Sequence, residues 1–352
     1  MDAAPALYAY ILAGGQGERL WPLSVSARPK QFLDLFGGEP LLVQTFRRIT
    51  GLVPPERCAV ITLRELCEPT AELLRELSPD QILCEPCARN TAAAVALACG
   101  HLLRQDPEAV LALLPADHVM TRPEAFRVAL ADAALVASEC SAIATLGAAP
   151  TFPATGYGYL ACGEAVPTNE ACQTAFFHVR QFVEKPDEAT ARAYLTTGRY
   201  LWNVGIFIAR VATFREAFRH HAPEYLPLID RPEDAEALYP TLPKRSFDVA
   251  VMEHYREIIV ARSELGWDDV GSLEAFARHV PADAQGNILL APAVTLDASG
   301  NLVVSQGDAR TTALLGVHDL AVIHTPQATL VCPRAQAQRV RDLLPRLPEA
   351  LR

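Results

Sequence analysis

The sequence carries no surplus of positive charge. Its 31 Lys and Arg stand against 41 Asp and Glu, a formal net charge of -10 with a pI near 5.4. A nucleic-acid binder needs a basic face for phosphate contacts, so no such partner is expected, and any anionic substrate must be met by a local cluster of Lys and Arg. A small phosphorylated ligand suits this balance better than a polymer. The opening MDAAPALYAY lacks the basic region and long apolar stretch of a signal peptide. The longest apolar run, 91–103, is too short to cross a bilayer and is broken by Gly100 and His101. A cytoplasmic protein with no membrane partner is the expectation. Cys84 and Cys87 form a lone C-x-x-C with no second pair or neighbouring histidine, so zinc is not expected. The nine cysteines are odd in number and scattered through apolar segments, which points to reduced core thiols.

Half of the 352 residues are hydrophobic, enough for one large domain and a smaller one. Short β-rich runs at 8–12, 59–62, 81–84, 110–114 and 142–146 alternate with helical patterns at 41–50, 69–77, 91–104 and 125–138. Such alternation predicts an α/β fold, a parallel sheet with helices on both faces, and ligands beyond the carboxyl ends of the strands. After residue 281 the pattern changes to short β-rich runs separated by Gly, Asn or Asp, then an amphipathic segment at 333–347 predicted to be a helix.

The chemistry gathers at predicted strand ends. The first run enters LAGGQGERLWPLSVSARPK, where Gly14, Gly15 and Gly17 allow backbone N–H groups to approach an anion and Arg19 and Lys30 add charge. The spacing is neither the dinucleotide fingerprint nor a Walker loop. EPCARNTAAA at 85–94 closes a strand and opens a helix that Asn90 or Thr91 can cap. VLALLPADHV at 110–119 sets Asp117 at the end of a buried strand, a natural oxygen ligand for Mg²⁺. TGYGY at 155–159 suits either a hexose ring or a plain hairpin turn. Glu184-Lys185 can chelate hydroxyls and pair with a phosphate, though alone it reads as a solvated strand end. WNVGIF follows at 202–207, then Ser246-Phe247-Asp248, which reads as a capped helix start with a structural role, and GWDDVGS at 266–272.

Taken in this order, LAGGxGxRLWPLS with PKQF, EPxxRNTA, PADH, TGYGY, VEKP, WNxGxF and W-x-D-V-G resemble the nucleotide-sugar pyrophosphorylases. The Trp-Pro-Leu and Pro-Lys-Gln-Phe variants resemble the mannose-1-phosphate guanylyltransferase branch. The resemblance implies that Leu12, Gly14, Gly15, Gly17, Arg19, Lys30 and Asp117 bind the nucleotide and that Arg89, Asn90 and Thr91 meet its base. Ala88 and Ala93 stand where the family has Gly and Pro. It implies that Gly158, Glu184, Lys185, Asn203 and Gly205 bind the sugar phosphate, that Asp117 and Asp269 hold Mg²⁺ with Asp268 at a variable position, and that Arg19, Lys30 and Lys185 are catalytic. The implied fold is a Rossmann-like nucleotidyltransferase domain over 1–281, with a mixed, mostly parallel sheet. A small left-handed β-helix-like domain over 282–352 would support a homodimer. The implied reaction joins GTP and mannose 1-phosphate into GDP-mannose and pyrophosphate. The alternatives are another nucleotide or sugar phosphate, or a regulatory homologue without turnover. A fused phosphomannose isomerase domain, needing on the order of a hundred further residues, is not expected.

Overall fold

Strand β1 (Leu7–Leu12) pairs in parallel with β2 (Cys58–Leu63), β2 with β3 (Ile82–Glu85), and β1 on its other side with β4 (Val110–Pro115). All six residues of β2 are buried, as expected where apolar side chains of both pleat directions meet cover. Beyond the two-residue β5 (Val119–Met120), strands β6 (Ile143–Ala148), β7 (Tyr159–Val166), β8 (Ala175–Val183), β9 (Tyr200–Arg210) and β10 (Ile258–Arg262) complete a nine-stranded sheet. Its order is β3-β2-β1-β4-β9-β6-β10-β8-β7. The parallel order expected from the alternation holds across β3-β2-β1-β4, while β9 runs antiparallel to both β4 and β6. The structure, computed as a structural model, describes residues 5–15, 17–36, 38–168, 170–307 and 310–351.

Helix α1 (Leu41–Thr50) has the predicted bounds, whereas α2 (Cys67–Leu73) starts and ends earlier than the pattern at 69–77. Pro69 is tolerated in its first turn, and the chain leaves helical geometry at Leu74. Helix α3 (Thr91–Gln105) is alanine-rich and almost wholly buried, packing with Tyr10, Ile61, Leu111 and Leu113 in one core. Asn90 caps it, its Oδ1 accepting from Thr91 N at 2.8 Å. Helix α4 (Pro123–Glu139) packs on β4 and β6. No helix among the described residues is long and apolar enough to cross a membrane.

Two expectations are corrected. Cys67 and Cys84 form a disulfide, so not all cysteines are reduced, and Cys84 turns to Cys67 rather than to Cys87. The cause is topological: a short turn after β2 starts α2 at Cys67, while Thr62 of β2 pairs with Cys84 of β3, bringing the two Cα atoms to 6.2 Å. The predicted helix at 333–347 is a pair of 3₁₀ segments, Arg334–Asp342 and Leu344–Arg346. Pro345 lacks an amide donor and cannot continue an α-helical ladder.

By contact, the chain forms two compact units. The first comprises residues up to Gly14, 45–116 and 120–267 and contains the nine-stranded sheet. The second comprises 15–44, 117–119 and the chain from Asp268 onward. Following β11 (Trp267–Asp268), this second unit stacks β12 (Ile288–Leu290), β14 (Leu302–Ser305) and β16 (Leu320–His324) in parallel. A second face is made by β13 (Ala293–Leu296) and β15 (Thr312–Leu315), and β17 (Thr329–Pro333) closes antiparallel on β16. This is β-helical stacking. Its corners are satisfied by buried asparagines: Asn301 Nδ2 donates to Asn287 Oδ1 at 3.0 Å, and Leu320 N donates to Asn301 Oδ1 at 3.0 Å. Ile288, Leu302 and Ile323 share their core with Leu20, Trp21, Leu33 and Phe276, which is why residues 15–44 belong to this unit.

Candidate functional site

Lys30 is the node of the second unit. It opens the turn Lys30–Phe32, is 4% exposed, and donates from Nζ to Asp117 Oδ2 at 2.7 Å and to the Asp269 carbonyl. Gly17 lies over it at φ +67°, where an added Cβ would stand 2.5 Å from Lys30 Cβ, so a side chain there would displace the lysine. Gly15 and Arg19 are exposed nearby in the chain, Arg19 in the turn Glu18–Leu20. Burial pushes the Asp117 carboxyl up, but the charges of Lys30 and His118 and the Lys30 hydrogen bond outweigh it and hold the group below its ordinary range. Three motif residues from distant parts of the chain thus converge on one cationic point. Asp117 brings a carboxylate to that point and Asp269 its backbone carbonyl, both hard oxygen donors of the kind a divalent cation takes. No group of three or more His, Cys, Asp or Glu able to hold a metal occurs among the described residues.

Asp268 and Asp269 point to different work. Asp268, 8% exposed, accepts at Oδ2 from Arg278 (2.7 and 3.1 Å) and lies 3.0 Å from His279 Nε2, while its Oδ1 accepts from Val270 N at 2.9 Å. Burial raises its carboxyl, and these bonds more than offset that, leaving it below the usual range. Asp269 Oδ1 accepts from Gly271 N at 3.1 Å. Between them Val270 takes φ +44°, a conformation strained for a β-branched residue. Lys185 (φ +49°) and Asn90 (φ +64°) are also in this region, so three of the five such non-glycine residues described lie in the candidate motifs.

In the first unit, Glu184 and Lys185 follow β8 and form an ion pair. Asn203, in β9, donates from its backbone to the Gly158 carbonyl at 2.8 Å. Its side chain is tightly held: Oδ1 is 3.1 Å from both Thr145 Oγ1 and Gly205 N, and Nδ2 donates to Asp248 Oδ1 at 3.0 Å. Burial and then Glu184 push the Asp248 carboxyl up to about 6. Asp248 opens the π-helical turn Asp248–Met252 with Ser246 as a cap, its Oγ accepting from Val249 N. Tyr157 of TGYGY packs edge-on against Trp202 and Trp267, at 5.1 and 5.0 Å.

The residues expected at the base are engaged with protein. Arg89 donates to the carbonyls of Tyr239 (2.9 Å) and Pro240, Asn90 caps α3, and Thr91 Oγ1 accepts from Phe247 N at 2.9 Å. Leu12 ends β1, and Gly14 follows it beside the side chain of Glu85. Sequence reasoning missed Glu85, Thr145 and Tyr239, and gave Asp248 only a structural part. Glu85 heads the EPCARNTA string and Asp248 lies in the SFD string, so the signal was present, but their partners are far away in the chain.

Comparison with known proteins places these motifs in a family. Residues 8–286 match the family model described as Nucleotidyl transferase, and residues 292–347 match the MannoseP isomerase/GMP-like beta-helix domain. Mannose-1-phosphate guanylyltransferase from Escherichia coli strain K12 is 36% identical over 97% of this chain and 73% of its own length. Mannose-1-phosphate guanylyltransferase 2 from Escherichia coli O157:H7 is 33% identical over 98% of this chain and 74% of its own. A crystal structure from Thermus thermophilus, described as mannose-1-phosphate geranyltransferase, is 38% identical, covers 97% of this chain and 98% of that one, and superposes with a TM-score of 0.86. This chain belongs to the nucleotidyl transferase family, in its mannose-1-phosphate guanylyltransferase branch.

Proposed function

We propose that the protein transfers a guanylyl group from GTP to mannose 1-phosphate, yielding GDP-mannose and pyrophosphate. The observation that carries this reading is the convergence of Lys30, Asp117 and Asp269 on one cationic point. The attacking phosphate oxygen of mannose 1-phosphate is already an anion, so no general base is needed, and the obstacle is bringing two polyanions together in line. Arg19 and Lys30 meet the phosphates of the nucleotide, with Gly14, Gly15 and Gly17 admitting them to backbone N–H groups. Asp117 and Asp269 would hold a divalent cation, Mg²⁺, which when bound would neutralise part of the triphosphate charge. Lys185 pairs with the sugar phosphate, and Glu184 accepts from sugar hydroxyls. Asn203 has one amide hydrogen left after its bond to Asp248, and that hydrogen is directed to a sugar hydroxyl, with Asp248 and Thr145 as positioning residues.

In this reading residues 1–281 perform the transfer and 282–352 serve assembly into a homodimer. Val294, Leu296 and Leu315, each about two-thirds exposed on β13 and β15, form the apolar surface for it. The test is pyrophosphate release with GTP, ATP, UTP or dTTP against mannose 1-phosphate and glucose 1-phosphate. GTP with mannose 1-phosphate should give the highest kcat/KM. A preference for dTTP with glucose 1-phosphate would overturn the assignment.

A further inference from the structure

Cys67 and Cys84 are joined in a chain whose other seven cysteines stay free thiols. Two of those seven, Cys58 and Cys99, are buried, and burial pushes both thiols up, Cys58 to about 12, so they are poor nucleophiles. Cys87, the other half of the C-x-x-C, packs against the core of the first unit beside Tyr239. Disulfide staples belong to small domains that lack a sufficient core, whereas this bridge stands alone in a unit with an extensive one. A single exposed bridge amid free thiols is the kind that takes part in reversible thiol exchange.

The place of the bridge makes exchange feasible and gives it a consequence. Strand β3 is an edge strand of the nine-stranded sheet and pairs, among the described residues, with β2 alone. Cys84 lies on this edge and is exposed, while Cys67, where α2 begins, is half-buried. An incoming thiolate therefore meets Cys84 Sγ first. The strand has only four residues, and the bridge fastens it one residue before its end at Glu85. From there Pro86 and Cys87 lead to Arg89, Asn90 and Thr91, which meet the nucleotide in the functional reading above. Resting on that reading, we propose that Cys67 and Cys84 form a thiol–disulfide switch. Closed, the bridge pins the end of β3 to α2 and steadies the segment that follows; open, it releases the edge strand and weakens the binding of GTP. Opening needs a small dithiol as reductant. One of its thiolates attacks Cys84 Sγ, the Sγ–Sγ bond breaks, and Cys67 leaves as a thiolate; the second thiolate then attacks the mixed disulfide, closing a cyclic disulfide and releasing Cys84. Two electrons pass to the protein, and each cysteine thiolate takes up a proton that the reductant gave to water. Closing is the reverse exchange, with a small-molecule disulfide as oxidant.

The experiment compares the full chain oxidised with glutathione disulfide and the same preparation reduced with dithiothreitol without denaturant. Maleimide labelling after denaturation should find seven thiols in the first and nine in the second, and peptide mapping should place the difference at Cys67 and Cys84. Opening the bridge removes a constraint between residues 17 positions apart, and Tm should fall by about 4 °C. The KM for GTP should rise about fivefold and that for mannose 1-phosphate stay within about twofold, with glutathione disulfide restoring both Tm and KM. Cys67→Ser should behave as the reduced protein and ignore both reagents, whereas Cys87→Ser should keep the full response. A bridge that the folded chain neither opens with dithiothreitol nor closes with glutathione disulfide, or an equal KM for GTP in the two forms, would overturn the proposal. If Cys67→Ser does not fold, the reduced and reoxidised wild type decide alone. Absence of pyrophosphate release from both forms with GTP and mannose 1-phosphate would instead refute the functional reading. The switch would then be judged by calorimetric binding of GTP, with equal affinities of the two forms counting against it.

Discussion

Asp268→Asn and Asp269→Asn should damage the protein in opposite ways, although the residues are adjacent and the substitutions identical. Asp268 accepts the Arg278 guanidinium at 2.7 Å, lies 3.0 Å from His279, and anchors Val270 N in its strained conformation. A hydrogen bond to a charged group contributes about 1.5–3 kcal/mol. The Arg278 side chain is 43% exposed, so solvent screening places its bond at the low end. Asparagine keeps the shape and the Val270 bond but loses the charge, which gives a destabilisation of about 2 kcal/mol. For a chain of 352 residues that lowers Tm by about 3 °C. Turnover by the folded fraction should stay within about fivefold of wild type. Asp269→Asn keeps a carbonyl for Gly271 N and should leave Tm nearly unchanged, yet lose about a hundredfold or more in kcat through the metal it would hold. Differential scanning fluorimetry and pyrophosphate release on the same preparations decide the matter. If Asp268→Asn abolishes turnover at wild-type Tm while Asp269→Asn unfolds early but turns over, the two roles are reversed and the site has been misread.

Lys30→Ala should chiefly impair the use of GTP and Lys185→Ala the use of mannose 1-phosphate, read as separate rises in the two KM values; equal effects on both would remove this division. Chelation of divalent cations should abolish turnover and added Mg²⁺ restore it, with Asp117→Asn resistant to rescue at ordinary Mg²⁺ concentrations. The native Glu85 carboxyl holds its proton up to about pH 7, whereas the unfolded one releases it near pH 4.5, so stability falls as pH rises through that window. Glu85→Gln should therefore unfold later than wild type at pH 8, by up to about 3 kcal/mol, with the difference vanishing only below about pH 4; a pH-independent difference would show that burial does not hold the Glu85 proton. A charge at Leu296 or Leu315, as in Leu315→Glu, should yield monomers by light scattering with the fold intact, and an unchanged oligomeric mass would exclude that surface from assembly.

The local chemistry of the chain settled more than its meetings. Residues 7–12, 58–63 and 110–115 form strands because they are continuous apolar, β-favouring runs, and 41–50 and 91–105 form helices because of their apolar spacing, the second capped by Asn90. The glycine-rich turn, PADH, VEKP and W-x-D-V-G strings were legible as site material, and so was the change to β-rich stacking in the tail. Short-range physics acts within a few residues, so the sequence displays it. The rest depended on which strand ends became neighbours. Lys30 and Asp117 are 87 positions apart, and Asn203 and Asp248 are 45 apart. The insertion of β9 antiparallel between β4 and β6, the Cys67–Cys84 bond, the engagement of Asp268 by Arg278, and the place of Glu85 beside Gly14 all follow from pairings between distant segments. Burial and charge are properties of those neighbourhoods. For that reason the chain announced by itself which residue types its chemistry would use, while only the tertiary structure decided which of two adjacent aspartates anchors the backbone and which two of nine cysteines meet.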